Sequence, residues 1–413
     1  MLRRPAEERS WPEGNGLIAG TPYDIDAETA AAYLSRYRWQ PPERDICFFT
    51  DLHADALAFH HSLFLAGLVP APSPPVTLPL TLNAAAFEVD VLIGGDCFDK
   101  GPDVFALLDM VADLQRQGVR LRLLAGNHDL RTLLGFQYAL SQQPLEAHLF
   151  CRMGAKVLPL LKSLIRKNPS GQTTDFPDPD ILAQQILPGT EWEPAFRSAA
   201  SPWFTAAQLE KEIAAVRRKV QTLRPHLAAL GWRNVAMAIE QFRAYFLTPE
   251  GRYGWFFPSL NLVERQGSLL FLHAGVDDQM AAMIAQAGTQ AVNSLFREQL
   301  QTSPFDLYHN AVGNLFRTKY RRSDLPFTAD GSQLLHDKGI HALVHGHRKQ
   351  RLGQRMMLRA GMLNLACDAS VDKNTRSRDH LPGPGAAVLT VTKQGLIEAI
   401  STDTPWIRRL ILT

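Results

Sequence analysis

The chain is poor in cysteine, carries almost no net charge, and has no apolar run of membrane-spanning length. Its four cysteines, Cys47, Cys97, Cys151 and Cys367, are scattered without a Cys-x-x-Cys pair. That spacing fits reduced thiols better than a disulfide framework or a zinc knuckle. Nothing approaches the ~20 consecutive apolar residues that a spanning helix needs. Met1-Leu2-Arg3-Arg4-Pro5 offers basic residues with no apolar segment behind them, so no secretory leader is read. A net charge of +2 gives no polyanion-binding signature, and neither a nucleic-acid nor a membrane partner is expected. Internal repeats and low-complexity tracts are missing as well. These absences leave a soluble, cytoplasmic protein. Its 413 residues suffice for two domains, or for one domain with a large insertion.

What is present is organised around Gly94-Gly95-Asp96-Cys97-Phe98-Asp99-Lys100-Gly101. The β-branched run 89–93 before it predicts a buried strand, and the spacing over 104–114 predicts a helix stopped by Gly118. Two carboxylates therefore sit on a glycine-flanked turn at a strand's carboxyl end, where ligands of α/β sheets gather. Alone, such a turn is also ordinary chain reversal. Other strand ends carry similar residues. The apolar run 45–50 ends on Asp51-Leu52-His53, where extended alternation would bring Asp51 and His53 to one side. A helix is expected over 57–68, and strand 119–124 runs into Gly126-Asn127-His128-Asp129. Strand 268–272 ends in His273-Ala274-Gly275, and strand 341–344 in His345-Gly346-His347-Arg348. The same alternation turns His345 away from His347 and makes it structural. Strand 362–367 reaches Asp368, and 386–392 with 396–401 reads as a terminal hairpin.

Residues 1–44 read as a surface-packed lead-in with one helix over 26–37. From 135 to 264 the texture is helical, with helices expected over 133–140, 146–165 and 206–246 and a polar loop over 168–179. Its basic run 210–224 reads as a solvated face. Trp203, Trp232 and Trp255 read as core, and a further helix is expected over 278–300. The expected organisation is thus a lead-in (1–44), a catalytic domain in two pieces (45–134 and 265–413) and a helical insertion (135–264).

Taken in order, the strand ends read Asp-x-His, Gly-Asp-x-x-Asp, Gly-Asn-His-Asp, His-Ala-Gly and Gly-His. Imidazoles, carboxylates and one amide oxygen are the donors of mixed nitrogen–oxygen metal sites. The set resembles the calcineurin-like metallophosphoesterase superfamily, whose signature is DxH…GDxxD…GNH[D/E]…H…GH. It is most similar to the phosphoprotein-phosphatase branch: the second motif approaches GDxxDRG and the last lacks the second histidine of GHxH. The resemblance covers residues 45–134 and 268–392. It implies an α/β fold of two facing mixed β-sheets flanked by helices, here with a helical insertion. It also implies two divalent metal ions, one held by Asp51, His53 and Asp96, the other by Asp96, Asn127, His273 and His347. Manganese and iron suit these donors, and zinc is admissible. The implied activity is hydrolysis of a phosphoric ester, first of all a phosphomonoester, by in-line attack of a metal-bridging hydroxide. His128 would be the general acid, held by Asp99.

Two departures stand out. Lys100 replaces the usual arginine of the second motif and loses its bidentate fork. Arg317, in Gly313-Asn314-Leu315-Phe316-Arg317, resembles a phosphate-binding arginine of bacterial-type phosphatases, and Arg348 and Arg131 are the other candidates. The large insertion directly after Gly-Asn-His-Asp raises the expectation of a cap. The implied substrate is a phosphorylated small molecule, nucleotide or phosphoprotein. The alternatives are a nucleotide phosphodiester or pyrophosphate hydrolase similar to diadenosine tetraphosphatases, and a metal-binding scaffold without turnover.

Overall fold

Short apolar runs alternate with helices along most of the chain, and this pattern builds sheets whose central strands are buried on both faces. The computed structural model describes residues 3–12, 25–72, 75–141, 143–167 and 176–412, so most of the expected loop over 168–179 lies outside it. The strands are β1 (Glu7–Ser10), β2 (Ile46–Phe49), β3 (Asp90–Ile93), β4 (Arg120–Leu124), β5 (Leu260–Asn261), β6 (Val263–Gln266) and β7 (Leu269–Leu272). They continue as β8 (Ala342–His345), β9 (Arg355–Arg359), β10 (Met362–Ala366), β11 (Ala387–Val391), β12 (Leu396–Ser401) and β13 (Trp406–Ile411). One sheet runs β1-β13-β12-β11-β2-β3-β4-β5, the other β6-β7-β8-β10-β9. Both are mixed: β2, β3 and β4 are mutually parallel, as are β7, β8 and β10, while β11 and β9 lie antiparallel to their neighbours. Phe48 and Leu92 of one sheet share a core with Phe271, Val344 and Leu363 of the other, and the Phe48 and Phe271 rings are 5.4 Å apart. The α/β architecture of two facing mixed sheets is therefore present.

The chain divides into two compact units. The first, Met1–Asn127 with Asn261–Glu298 and Ala311–Thr413, contains the sheets. Its helices begin on acidic caps: Asp55 accepts from Ala58 N–H ahead of Ala56–Leu65, and Asp103 from Phe105 N–H ahead of Val104–Arg116. The second, His128–Leu260 with Gln299–Asn310, is helical. In it Phe136 stacks on Phe242 at 4.0 Å, and Trp192, Phe196, Ile213, Val216 and Phe305 form a further core. Among the described residues no helix is long and apolar enough to cross a membrane.

Several sequence expectations need correction. The lead-in does more than pack on the surface: β1 pairs in parallel with β13, and Trp11, Tyr33 and Trp39 are buried. The helix expected over 206–246 is two, Ala206–Leu230 and Trp232–Phe246, because Gly231 takes φ 86° and ends the first. Gly154, at φ 60°, breaks the one expected over 146–165, leaving Leu149–Arg152, the 3-10 turn Gly154–Val157 and Leu158–Lys167. The helix expected from 133 starts at Asn127, and Gly288, with φ 80°, kinks Asp278–Thr302. Trp203 is exposed, and Trp232 and Trp255 are only partly buried.

Candidate metal centre

Because β2, β3 and β4 run in parallel, as do β7 and β8, their carboxyl ends fall on one edge of each sheet, and the five motifs follow those ends. Asp51, His53 and Asp96 meet so that one ligand atom of each lies within 4.8 Å of the others, and Asp96, His273 and His347 meet under the same limit. Nε2 of His53 is 3.7 Å from Asp51 Oδ1 and 3.8 Å from Asp96 Oδ2, while His273 Nε2 is 3.4 Å from Asp96 Oδ1. The His273 and His347 rings are 5.2 Å apart.

Strand alternation is not what brings Asp51 and His53 together. Asp51 (φ 54°), His53 (φ 45°), Asp96 (φ 58°) and His347 (φ 64°) all occupy the left-handed region. Non-glycine residues there cost roughly 1–3 kcal/mol each and persist where surroundings over-determine them. Here the determinants are backbone bonds between the turns: Asp51 N–H to Gly95 O (3.0 Å), His53 N–H to Asp96 O (2.8 Å), Ala54 N–H to Cys97 O (2.8 Å). His347 N–H donates to Asp51 Oδ2 at 2.9 Å and joins the last turn to the first. Glycine is required where the turns touch. A Cβ on Gly126 would collide with Asp96, and one on Gly346 with Asp51 Oδ2.

Each histidine is aimed by a backbone carbonyl. His53 Nδ1–H donates to Phe98 O (3.1 Å), His273 Nδ1–H to Gly94 O (2.7 Å) and His347 Nε2–H to Arg317 O (3.1 Å). The other ring nitrogen is thereby the one turned to the site, the arrangement by which proteins orient imidazole ligands. The buried Asn127 Oδ1 has no hydrogen-bond partner among the described residues, and His273 Nε2 faces Asp96 at 3.4 Å. Burial, and then Asp368, push the Asp51 carboxyl well above the usual carboxylate range. Burial alone would lower His273, yet Asp96, Asp51 and the Gly94 carbonyl hold it up to about 10. His347 is driven well below its ordinary value by burial and by His273. Buried carboxylates, imidazoles aimed by backbone carbonyls and an orphan amide oxygen form a donor set that fits divalent cations.

The remaining sequence-selected residues are placed differently. The Lys100 ammonium donates to His53 Nε2, and Lys100 itself stands at φ 63°. Asp99 (φ 67°) and His128, the second residue of Asn127–Tyr138, are both buried. Arg317 ends the helix Ala311–Arg317. Arg348 is turned inward: Nη2 donates to His345 Nε2 at 2.7 Å, and the guanidinium lies 4.8 Å from the centre of the Tyr320 ring. Arg131 donates to Tyr308 Oη at 3.2 Å in the helical unit. Two residues escaped the sequence reading. Asp368, buried just beyond β10, acts on Asp51 and accepts from Ser370 N–H at 3.0 Å. The Lys319 ammonium is lowered by loss of solvent around it and by Arg321 and Lys100, and is countered by Asp368 and Asp96. The strand ending at Asp368 was the available signal for the first; no pattern marks the second.

No family model matches the chain, and no curated protein matches it in sequence. Among solved structures, a cold-active protein-tyrosine phosphatase of a psychrophilic Shewanella aligns over 90% of this chain and 80% of its own, at 13% identity and TM-score 0.46. A protein serine/threonine phosphatase from Saccharomyces cerevisiae aligns over 94% and 89%, at 13% identity and TM-score 0.39. A putative diadenosine tetraphosphatase aligns over 90% and 96%, at 11% identity and TM-score 0.28. The functional reading rests on the side chains themselves.

Proposed function

We propose that the chain is a metal-dependent phosphoric ester hydrolase acting on phosphomonoesters. The observation that carries this reading is the pair of triads sharing Asp96. Asp51, His53 and Asp96 would hold one divalent ion, and Asp96, Asn127, His273 and His347 the other, with manganese or iron suited to the donors and zinc admissible. Such ions supply a water acidic enough to lose its proton near neutral pH, and positive charge at the phosphoryl oxygens. The chain's own residues do the rest. Lys100, displaced from His53, would turn to a phosphoryl oxygen as a point charge, and Arg317 would supply the fork that Lys100 lacks. His128 would give a proton to the leaving oxygen, with Asp99 the carboxylate assigned to it. Arg348, bonded to His345 and lying on the Tyr320 ring, would instead steady the turn that carries His347.

The test is side-by-side turnover of p-nitrophenyl phosphate, its bis-ester and dinucleoside polyphosphates by manganese-loaded protein. The monoester should be hydrolysed fastest. Faster cleavage of the bis-ester or of dinucleotides would replace this reading with the nucleotide hydrolase. No turnover at full metal loading would leave a scaffold.

A further inference from the structure

The helical unit gathers cations around Tyr308 that the proposed hydrolysis does not use. Arg131 donates to Tyr308 Oη, and the Arg152 guanidinium lies 5.7 Å from the centre of the same ring. Lys219, from the helix Ala206–Leu230, donates to the Arg152 carbonyl oxygen, and Lys156 lies in the turn Gly154–Val157. Arg152 is 8% exposed. Its Nη1 meets Glu212 at 3.1 Å, but Nε and Nη2 have no hydrogen-bond partner among the described residues. A buried guanidinium with two unanswered donors is a costly arrangement unless something fills it. Burial, and then the charge of Arg131 with those of Arg152 and Lys156, bring the Lys219 ammonium down to about 8. Positive charge is thus crowded around a guanidinium with two unanswered donors.

We propose that Arg131, Arg152, Lys219 and Tyr308 form an oxyanion site for a phosphate-type group, either free or carried on a larger molecule. Guanidinium forks match a tetrahedral oxyanion two oxygens at a time, and the ammonium adds a point charge. Tyr308 Oη accepts from Arg131 and so fixes that guanidinium in the cluster. Lys156 is exposed and Lys219 partly so, which leaves the cluster open on that side. The site does not depend on the metal reading.

The experiment is calorimetric titration of the full chain with inorganic phosphate and with phenyl phosphate, in chelator so that divalent ions contribute nothing. Saturable binding is expected, weakened at least tenfold by Arg131→Gln combined with Lys219→Gln. Should that double variant fail to fold, Lys219→Gln alone and the wild type carry the test. In the wild type, phosphate should slow amine labelling of Lys219, read by mass spectrometry, and leave labelling of exposed Lys338 unchanged. Binding of phosphate alone assigns a free anion; binding of both assigns a carried group. No binding in chelator, or binding that the variants leave intact with Lys219 unprotected, overturns the proposal.

Discussion

In the two-sheet unit the charges crowded together inside are carboxylates, Asp51, Asp96 and Asp368, with imidazoles around them; in the helical unit the buried charge is Arg152, with the half-buried Lys219 beside it. Arg376, in the two-sheet unit, shows what a buried charge looks like when its surroundings answer it. It is 3% exposed, bonds Asp403 with two nitrogens at 2.7 and 3.2 Å, and donates to the carbonyls of Gly383 and Pro382. Arg152 has one carboxylate partner and two empty donors. The lesson lies in the remainder: where the fold leaves buried charge unanswered, the complement is expected to come from solution, cations to the one cluster and an anion to the other.

The sharpest way to break this contrast is Asp96→Asn. Both triads share that carboxylate, so metal content measured by atomic emission should fall and turnover should drop to background. Full metal retention would remove the basis of the comparison. Next comes His128→Asn, which should keep both metals while turnover falls by ~10²–10⁴, checked by metal analysis beside initial rates. The third prediction sets the two arginines against each other. Arg376→Met strands the buried Asp403 and should cost about 3 kcal/mol or more in urea unfolding, whereas Arg152→Met should cost about 1 kcal/mol or less. Equal losses would mean that Arg152 is as well answered as Arg376.

A smaller effect concerns His341, which stacks on Tyr37 at 4.5 Å and faces His336 Nδ1 at 3.1 Å. Burial, and then His336, bring it down from 6.5 to about 4. Between those values the unfolded chain binds a proton that the folded one refuses, so stability should fall as pH drops from 6.5 toward 4. His341→Gln should flatten that slope in pH-dependent thermal unfolding; an unchanged slope would assign it elsewhere. The smallest effect is chemical. All four cysteines are buried and free, and burial pushes Cys47 and Cys151 up to about 12, so a thiol reagent should titrate none in the native protein and four after denaturation.

The strands that carry the motifs were legible because each is a short apolar run ending in glycine or a charged residue, as with 90–93 before Gly94. β1 and β13 were not, since Glu7–Ser10 is exposed and polar and becomes a strand only through its partner. Helix breaks at Gly154, Gly231 and Gly288 were missed because a glycine's choice between helical and left-handed backbone depends on packing that no local pattern reports. The residues of the candidate centre were readable as types, but the alternation used to join Asp51 with His53 was the wrong geometry. Left-handed turns pinned by the Gly95, Asp96 and Cys97 carbonyls set their directions.

The sequence by itself determined which donor atoms the molecule owns and in what order the strands deliver them, because these follow from residue identity and from the periodicity of apolar runs. Only the tertiary structure decided that the donors meet, which ring nitrogen each histidine presents, and that Asp368 and Lys319 belong beside them. The same holds for Arg131, Arg152 and Lys219, drawn from separate helices onto one tyrosine. Contacts between residues far apart along the chain are set by the packing of whole elements, and that information is not local to any segment.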